Sequence, residues 1–223
     1  MKIPRSIGII PDGNRRWAKK NNFPNIEGHR KGLLKFKRVG EWCLEKGIST
    51  MTIFSFSSEN KNRSEEEIKY LTKIVNNALN KKNIEEFKKK GVRLRVVGDV
   101  GSFSCDIKER AQKAEEETRG GDKMGINVAL NYGGRWEILS AAEKMAKEGN
   151  EFTEENFSQN LAIKEFPDLI IRTGKEKRLS NFMLWQAAYS ELYFSDSYWP
   201  EFSKKEFEYI LEYYAKKERR FGR

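Results

Sequence analysis

Short apolar, β-branched runs alternate with longer amphipathic ones along this chain, and that alternation constrains the fold more than any other feature. The runs are Ser6–Ile10, Thr50–Phe56, Val92–Val97, Gly125–Leu130, Leu169–Arg172 and Leu192–Phe194. Most are nearly continuous in apolar residues, the mark of strands buried on both faces. Between them, Leu33, Phe36, Gly40, Cys43 and Leu44 recur at spacings of three and four. So do Ile68, Leu71, Ile74, Val75, Ala78 and Leu79, behind a capping box of Ser64 and Glu67. Further helices are expected over Ser104–Thr118, Arg135–Lys147, Asn181–Tyr189 and Lys204–Lys217. The pattern predicts an α/β fold, with a mostly parallel central sheet of about six strands flanked by helices. No repeat and no Pro/Gly/Ser-rich linker interrupts it, so residues 1–223 read as a single domain.

Composition narrows the chemistry. Two cysteines, Cys43 and Cys105, are too few for a disulfide scaffold and lack metal-site spacing; one histidine, His29, excludes a His-rich metal site. No apolar run reaches the roughly 18 residues of a membrane span, and the first residues carry no apolar signal region, so a cytoplasmic protein is expected. The formal charge of +10 predicts an anionic partner: nucleic acid, a membrane surface or a phosphorylated small molecule.

In parallel sheets ligands bind beyond the carboxyl ends of the strands, and the unusual residues fall there. After Ile10, the run Pro11-Asp12-Gly13-Asn14-Arg15-Arg16-Trp17 turns tightly into a helix. Asp12 stands where a carboxylate either caps that helix or holds a divalent cation. The helix N–H groups with Arg15 and Arg16 suit a phosphate. By itself Asp-Gly-Asn is also ordinary turn chemistry. Seven polar residues, Ser57 to Arg63, follow the second strand, a usual place for binding residues and equally for a solvated loop. Arg172 ends a buried strand, and Arg178 and Ser180 precede the helix expected at Asn181. Two guanidinium groups, a hydroxyl and helix N–H groups suit a diphosphate clamp, and equally a basic surface loop of a basic protein. Glu191 stands alone before the last strand.

Taken together and in order, Asp12-Gly13-Asn14-Arg15-Arg16-Trp17-Ala18, Gly28-His29, Phe56-Ser57-Ser58-Glu59-Asn60, Asn62-Arg63, Asn131-Tyr132-Gly133-Gly134-Arg135, Ile171-Arg172-Thr173-Gly174, Arg178-Leu179-Ser180-Asn181-Phe182, Glu191-Leu192-Tyr193-Phe194 and Arg220-Phe221-Gly222 resemble the cis-prenyltransferase family. The resemblance spans essentially the whole chain. It implies an α/β butterfly-like fold with a hydrophobic tunnel. It also implies repeated head-to-tail addition of isopentenyl diphosphate to an allylic diphosphate primer, a Mg²⁺ requirement and a homodimer. Carried over residue by residue, it gives Asp12 the role of holding Mg²⁺ and helping the allylic diphosphate leave. Gly13, Asn14, Arg15, Arg16, Trp17, His29 and Arg63 would surround the primer diphosphate. Arg172, Arg178, Ser180, Arg220 and Gly222 would hold isopentenyl diphosphate, Arg220 and Gly222 reaching across the dimer. Glu191 is the second metal position, shared with the partner's site. Ser58, Glu59 and Lys61 border the substrates. Asn60 is a poor base by pKa matching, so Asn60, Ser57 and Glu59 are read as a group passing the proton to a diphosphate oxygen.

Departures from the family pattern bear on the primer. Pro11 stands where many bacterial members have Met, Arg15 replaces a Gly, Asn25 an Arg and Lys61 a Trp; Lys175 replaces the second Gly of Arg-Thr-Gly-Gly. Farnesyl and geranylgeranyl diphosphate are the expected primers. A divergent member making a short, branched or cyclised product is the alternative. Ser55, Leu79, Met124, Val128 and Leu130 are the expected tunnel wall, with Met124 as a floor whose truncation lengthens the product. Transient membrane contact is expected from the product's greasiness. Nucleic acid is not expected as a partner, because the arginines gather at strand ends instead of along an exposed stripe.

Overall fold

The structure is a computed structural model that describes residues 1–57, 76, 78–102 and 105–218. The expectations at Ser58, Glu59, Asn60, Lys61, Arg63, the Ser64–Glu67 capping box, Arg220 and Gly222 lie outside the described residues, as does most of the helix expected over Ile68–Leu79.

Six strands, β1 (Ser6–Ile10), β2 (Thr50–Ser57), β3 (Val92–Val97), β4 (Met124–Tyr132), β5 (Leu169–Arg172) and β6 (Glu191–Phe194), pair in the order β3-β4-β2-β1-β5-β6. Every pairing is parallel. The apolar runs become strands because helices cover both faces. β1 lies near the middle and all five of its residues are buried. The helices are α1 (Asn14–Lys20), α2 (Asn25–Glu45), α3 (Lys81–Lys89), α4 (Cys105–Thr118), α5 (Gly134–Glu148), α6 (Glu154–Asn160) and α7 (Lys204–Ala215).

Alternation along the strands divides the core in two. On one face Ile7, Ile9, Met51, Ile53, Leu94 and Ile171 pack against Val39 and Cys43 of α2 and Phe207, Ile210 and Leu211 of α7. On the other, Ile10, Phe54, Val97, Ala129 and Ile170 pack against Ile163, Phe182 and Met183. Each fully buried side chain of this size contributes about 1.5–3 kcal/mol. In register, Ile9 pairs with Ile53 and Ile10 with Arg172, so the carboxyl ends of β1, β2 and β5 form one rim of the sheet.

Two expectations about helices need correction. The segment after Ser180 is not a helix over Asn181–Tyr189; it closes only as a 3-10 turn at Gln186–Tyr189. Ser180, Asn181 and Met183 take φ of 49°, 63° and 47°, left-handed values that break an α-helix at each of them. Conversely, α6 was not expected, although Thr153 caps it by accepting the N–H of Asn156 at 3.1 Å.

α1 and α2 meet at glycine. A Cβ on Gly28 would lie 2.2 Å from the backbone oxygen of Asn14, so α2 approaches the start of α1 only because position 28 has no side chain. Gly28→Ala should destabilise the fold by about 1–3 kcal/mol, read as a lowered Tm in thermal denaturation, even though alanine is the better helix former.

Candidate active site

The rim at the ends of β1 and β5 is built around Asp12. The chain leaves β1 at Ile10, and Gly13, at φ 101°, makes the turn into α1. A Cβ at Gly13 would lie 2.6 Å from the Tyr198 ring, so the position requires glycine for space as well as for its dihedral. Asp12 does not cap α1, whose N-cap residue is Gly13 with no side-chain cap. Its carboxylate turns instead to two arginines: Oδ1 lies 2.9 Å from Arg16, and Oδ2 accepts from Arg172 at 2.8 Å. The Asp12 backbone is held too. Its N–H donates to the Thr173 hydroxyl at 3.0 Å, and that hydroxyl donates back to the Asp12 carbonyl at 2.8 Å. The N–H of Trp199 donates to the same carbonyl.

Arg172 is almost fully buried, at 4% exposure. Besides Asp12 it donates to the Ser180 hydroxyl at 2.7 Å and to the Arg178 carbonyl at 2.5 Å. Ser180 thus grips Arg172. Glu176 links the remaining arginines, 3.0 Å from Arg16 and 2.6 Å from Arg178. Arg178, with Arg16 beside it, holds the Glu176 carboxyl below its ordinary value. Burial works against the charge of Arg16, but its hydrogen bond to Asp12 and the charges of Asp12 and Glu176 outweigh that and raise its pKa. Arg16 also lies over the Tyr198 ring, as do Lys20 and Lys175.

Two cavities meet at this rim. An open polar basin is lined by Asp12, Gly13, Arg15, Arg16, Lys19 and Asn25, together with Pro11, Asn14 and His29. A largely apolar cavity of about 130 Å³ runs from the same Pro11, Asn14 and His29 between the sheet and α2. The structure therefore gathers Asp12, Gly13, Asn14, Arg15, Arg16 and His29 as the sequence indicates. Ser57 ends β2 on the same rim. Trp17 is not brought into the basin; its ring stacks on Phe23 at 5.7 Å. Glu191 is not brought to Asp12 either. It pairs with Leu169 at the amino end of β5, whereas Arg172 and Asp12 stand at the carboxyl end.

Of the expected tunnel wall, Ser55, Leu79, Val128 and Leu130 line the apolar cavity, but Met124 does not. Met124 shares their face of β4 and pairs with Val92 at the start of the strand, farther from the rim. A second cavity of about 30 Å³ lies deeper, lined in part by Val92 and Ile126, and Phe36 and Phe87 border both cavities. Met124 borders neither.

Thr173, Glu176 and Tyr198 are site residues that sequence reasoning missed. Thr173 carried a signal: a hydroxyl directly after a strand-ending arginine. Lys175 has φ of 72°, a left-handed value that glycine adopts more readily than lysine.

Among the described residues no group of three His, Cys, Asp or Glu side chains converges. A Mg²⁺ ion fits such a site in one way. Asp12 would supply a single hard oxygen ligand, in exchange for one of its arginine contacts, with substrate phosphates and water as the other ligands.

Buried guanidinium, paired carboxylate and polar basin opening onto an apolar cavity define an enzyme that binds an anionic head and an apolar tail together. Comparison with known proteins names the family. Residues 10–222 match the family described as "Putative undecaprenyl diphosphate synthase". The isoprenyl transferase of Thermotoga maritima is 44% identical, over all of this chain and 98% of its own. A farnesyl-diphosphate-specific ditrans,polycis-undecaprenyl-diphosphate synthase of Xanthomonas axonopodis is 40% identical, over 99% of this chain and 89% of its own. Among solved structures, lavandulyl diphosphate synthase from Lavandula x intermedia superposes with a TM-score of 0.94 at 32% identity, covering 99% of both chains. The chain belongs to the undecaprenyl diphosphate synthase family of cis-prenyltransferases. It is a prenyl transferase, acting on isopentenyl diphosphate and an allylic diphosphate.

Thr173→Val keeps the shape of a fully buried residue and removes both hydroxyl bonds to Asp12. It should cost about 1–3 kcal/mol of stability and lower kcat/KM by about tenfold, measured by denaturant unfolding and steady-state kinetics.

Proposed function

We propose that the protein extends farnesyl or geranylgeranyl diphosphate by repeated addition of isopentenyl diphosphate, giving a cis-polyprenyl diphosphate of medium to long chain in a Mg²⁺-dependent reaction. One observation carries this reading. The polar basin and the apolar cavity share Pro11, Asn14 and His29, so a diphosphate on one side of that boundary leaves its prenyl tail on the other.

In this reading Gly13, Asn14, Arg15, Arg16 and His29 hold the primer diphosphate, and Arg172 and Arg178, braced by Ser180, hold isopentenyl diphosphate. Asp12 would ligate Mg²⁺, which when bound neutralises negative charge on the departing diphosphate. The arginines stabilise the same charge through preorganised donors. The apolar cavity keeps water from the allylic carbon that the departing diphosphate exposes. The proton passes through the group of Ser57, Asn60 and Glu59 to a diphosphate oxygen.

A cavity of about 130 Å³ is close to the roughly 150 Å³ that houses a benzene-sized guest. It seats the inner end of a tail, the rest of which lies along the boundary with the basin. Growth beyond that presses on Phe36 and Phe87, which stand before the second cavity, so these rings are the proposed floor in place of Met124. The small volume also favours a second reading, a short or branched product, as made by the lavandulyl diphosphate synthase that this chain superposes on.

The homodimer reading is supported by the position of Glu191, at the end of the sheet opposite Asp12. It is also supported by exposed Tyr189 and Leu192 beside the edge strand β6. No helix of the described residues is long and apolar enough to cross a membrane. Exposed Phe23, Ile26 and Leu34 near the basin, with Lys19 and Lys31, support contact with an anionic bilayer surface.

Labelled isopentenyl diphosphate, Mg²⁺ and each allylic primer should yield polyprenyl products on sizing after dephosphorylation, and chelation should abolish them. Products of ten carbons alone would establish the second reading instead. Phe87→Ala should shift products to longer chains, whereas Met124→Ala should leave the distribution unchanged.

A further inference from the structure

The Asn131–Arg135 motif has no role in the scheme above, yet it leads into a buried polar cluster. Tyr132, Glu137 and Gln186 are 0%, 1% and 2% exposed. The Tyr132 hydroxyl donates to Glu137 Oε2, and Gln186 Nε2 donates to the same oxygen at 3.1 Å. The N–H of Ile163 donates to Oε1 at 2.8 Å, and Gln186 also donates to the Ile163 carbonyl at 2.8 Å. Burial pushes the Glu137 carboxyl up from its ordinary value, and these donors oppose the shift. None of these groups lines the polar basin.

What the cluster touches is the segment from Ser180 to Gln186. Three residues of that segment, none of them glycine, have left-handed φ. Such conformations cost about 1–3 kcal/mol each and persist only where the surroundings over-determine them. Gln186 is tied to Glu137 at one end. The Asn181 carbonyl accepts the N–H of Gly134 at 2.7 Å, and its side chain accepts the N–H of Arg135 at 2.9 Å. Between these ties, Phe182 stacks on Phe54 at 4.9 Å and meets the Tyr132 ring edge-on at 6.1 Å. The backbone of Met183 bonds to the Tyr132 hydroxyl as well. Ser180 at the head of this segment is one of the grips on Arg172.

We propose that Glu137, with Tyr132 and Gln186, is a positioning centre for the isopentenyl diphosphate half of the site, holding the strained Ser180–Met183 turn so that Ser180 and the Arg178 carbonyl aim the Arg172 guanidinium. Glu137 acts through Ser180 and Arg172 and touches no substrate. Asp12, on the primer side, pairs with Arg172 as well but has further anchors of its own in Thr173 and Arg16. The proposal rests on the reading that Arg172 and Arg178 bind isopentenyl diphosphate.

The test is steady-state kinetics on Tyr132→Phe and Glu137→Gln, with each substrate varied in turn and Arg178→Ala alongside. Tyr132→Phe keeps the ring contacts and removes only the hydroxyl, so it decides the matter even where Glu137→Gln fails to fold. The expected result is a KM for isopentenyl diphosphate raised about fivefold to tenfold, with the primer KM within about twofold of its starting value. A lowered Tm with both KM values unchanged, or both raised equally, while Arg178→Ala raises the isopentenyl diphosphate KM, overturns the proposal and leaves the site reading intact. An unchanged isopentenyl diphosphate KM in Arg178→Ala overturns that reading, and the proposal falls with it.

Discussion

The buried ion pair between Asp12 and Arg172 organises the rest of the site. It joins the ends of two neighbouring strands, β1 and β5, at a point where the Arg172 guanidinium is almost completely removed from water. Asp12 stays partly open to the basin, but a guanidinium so buried is tolerable only where its donors find partners. The fold supplies most of those partners, Ser180 and the Arg178 carbonyl on one side and Arg16 on the other, and leaves the Arg172 Nε buried without one among the described residues. The strands therefore do more than form a core. Their register brings Ile10 level with Arg172 and sets the separation at which the two halves of the basin face each other.

A consequence is that the anion-binding groups arrive already paired with protein carboxylates. Asp12 lies between Arg16 and Arg172, and Glu176 between Arg16 and Arg178. Arg178 and Arg16 are partly exposed, so their pairs with Glu176 sit in high dielectric and are weak. Arg172 is different in kind. Its low exposure makes it a fixed part of the scaffold.

Much of this was legible in the sequence, for physical reasons. The six strands follow from apolar runs too short for helices, and their ends located Asp12 and Arg172. The face that Val128 and Leu130 present followed from period-two alternation. Depth did not: Met124 lies on that same face of β4, but alternation cannot say how far along a strand a cavity extends. The helix expected at Asn181 failed for a different reason. Phe182, Trp185 and Tyr189 carry a plausible helical spacing, and only tertiary contacts hold Ser180, Asn181 and Met183 at positive φ. Glu191 was legible only as part of a sequence block, and strand direction, which the block does not carry, puts it at the end of the sheet opposite Asp12.

Pro11, Asn14 and His29 belong to both the wet basin and the dry cavity. A molecule with one charged and one greasy end can cross that threshold in a single orientation, head outward. In the proposed elongation each unit joined at the head pushes the existing tail inward, so the oldest carbons travel deepest, and every added unit lengthens the way back to these three residues.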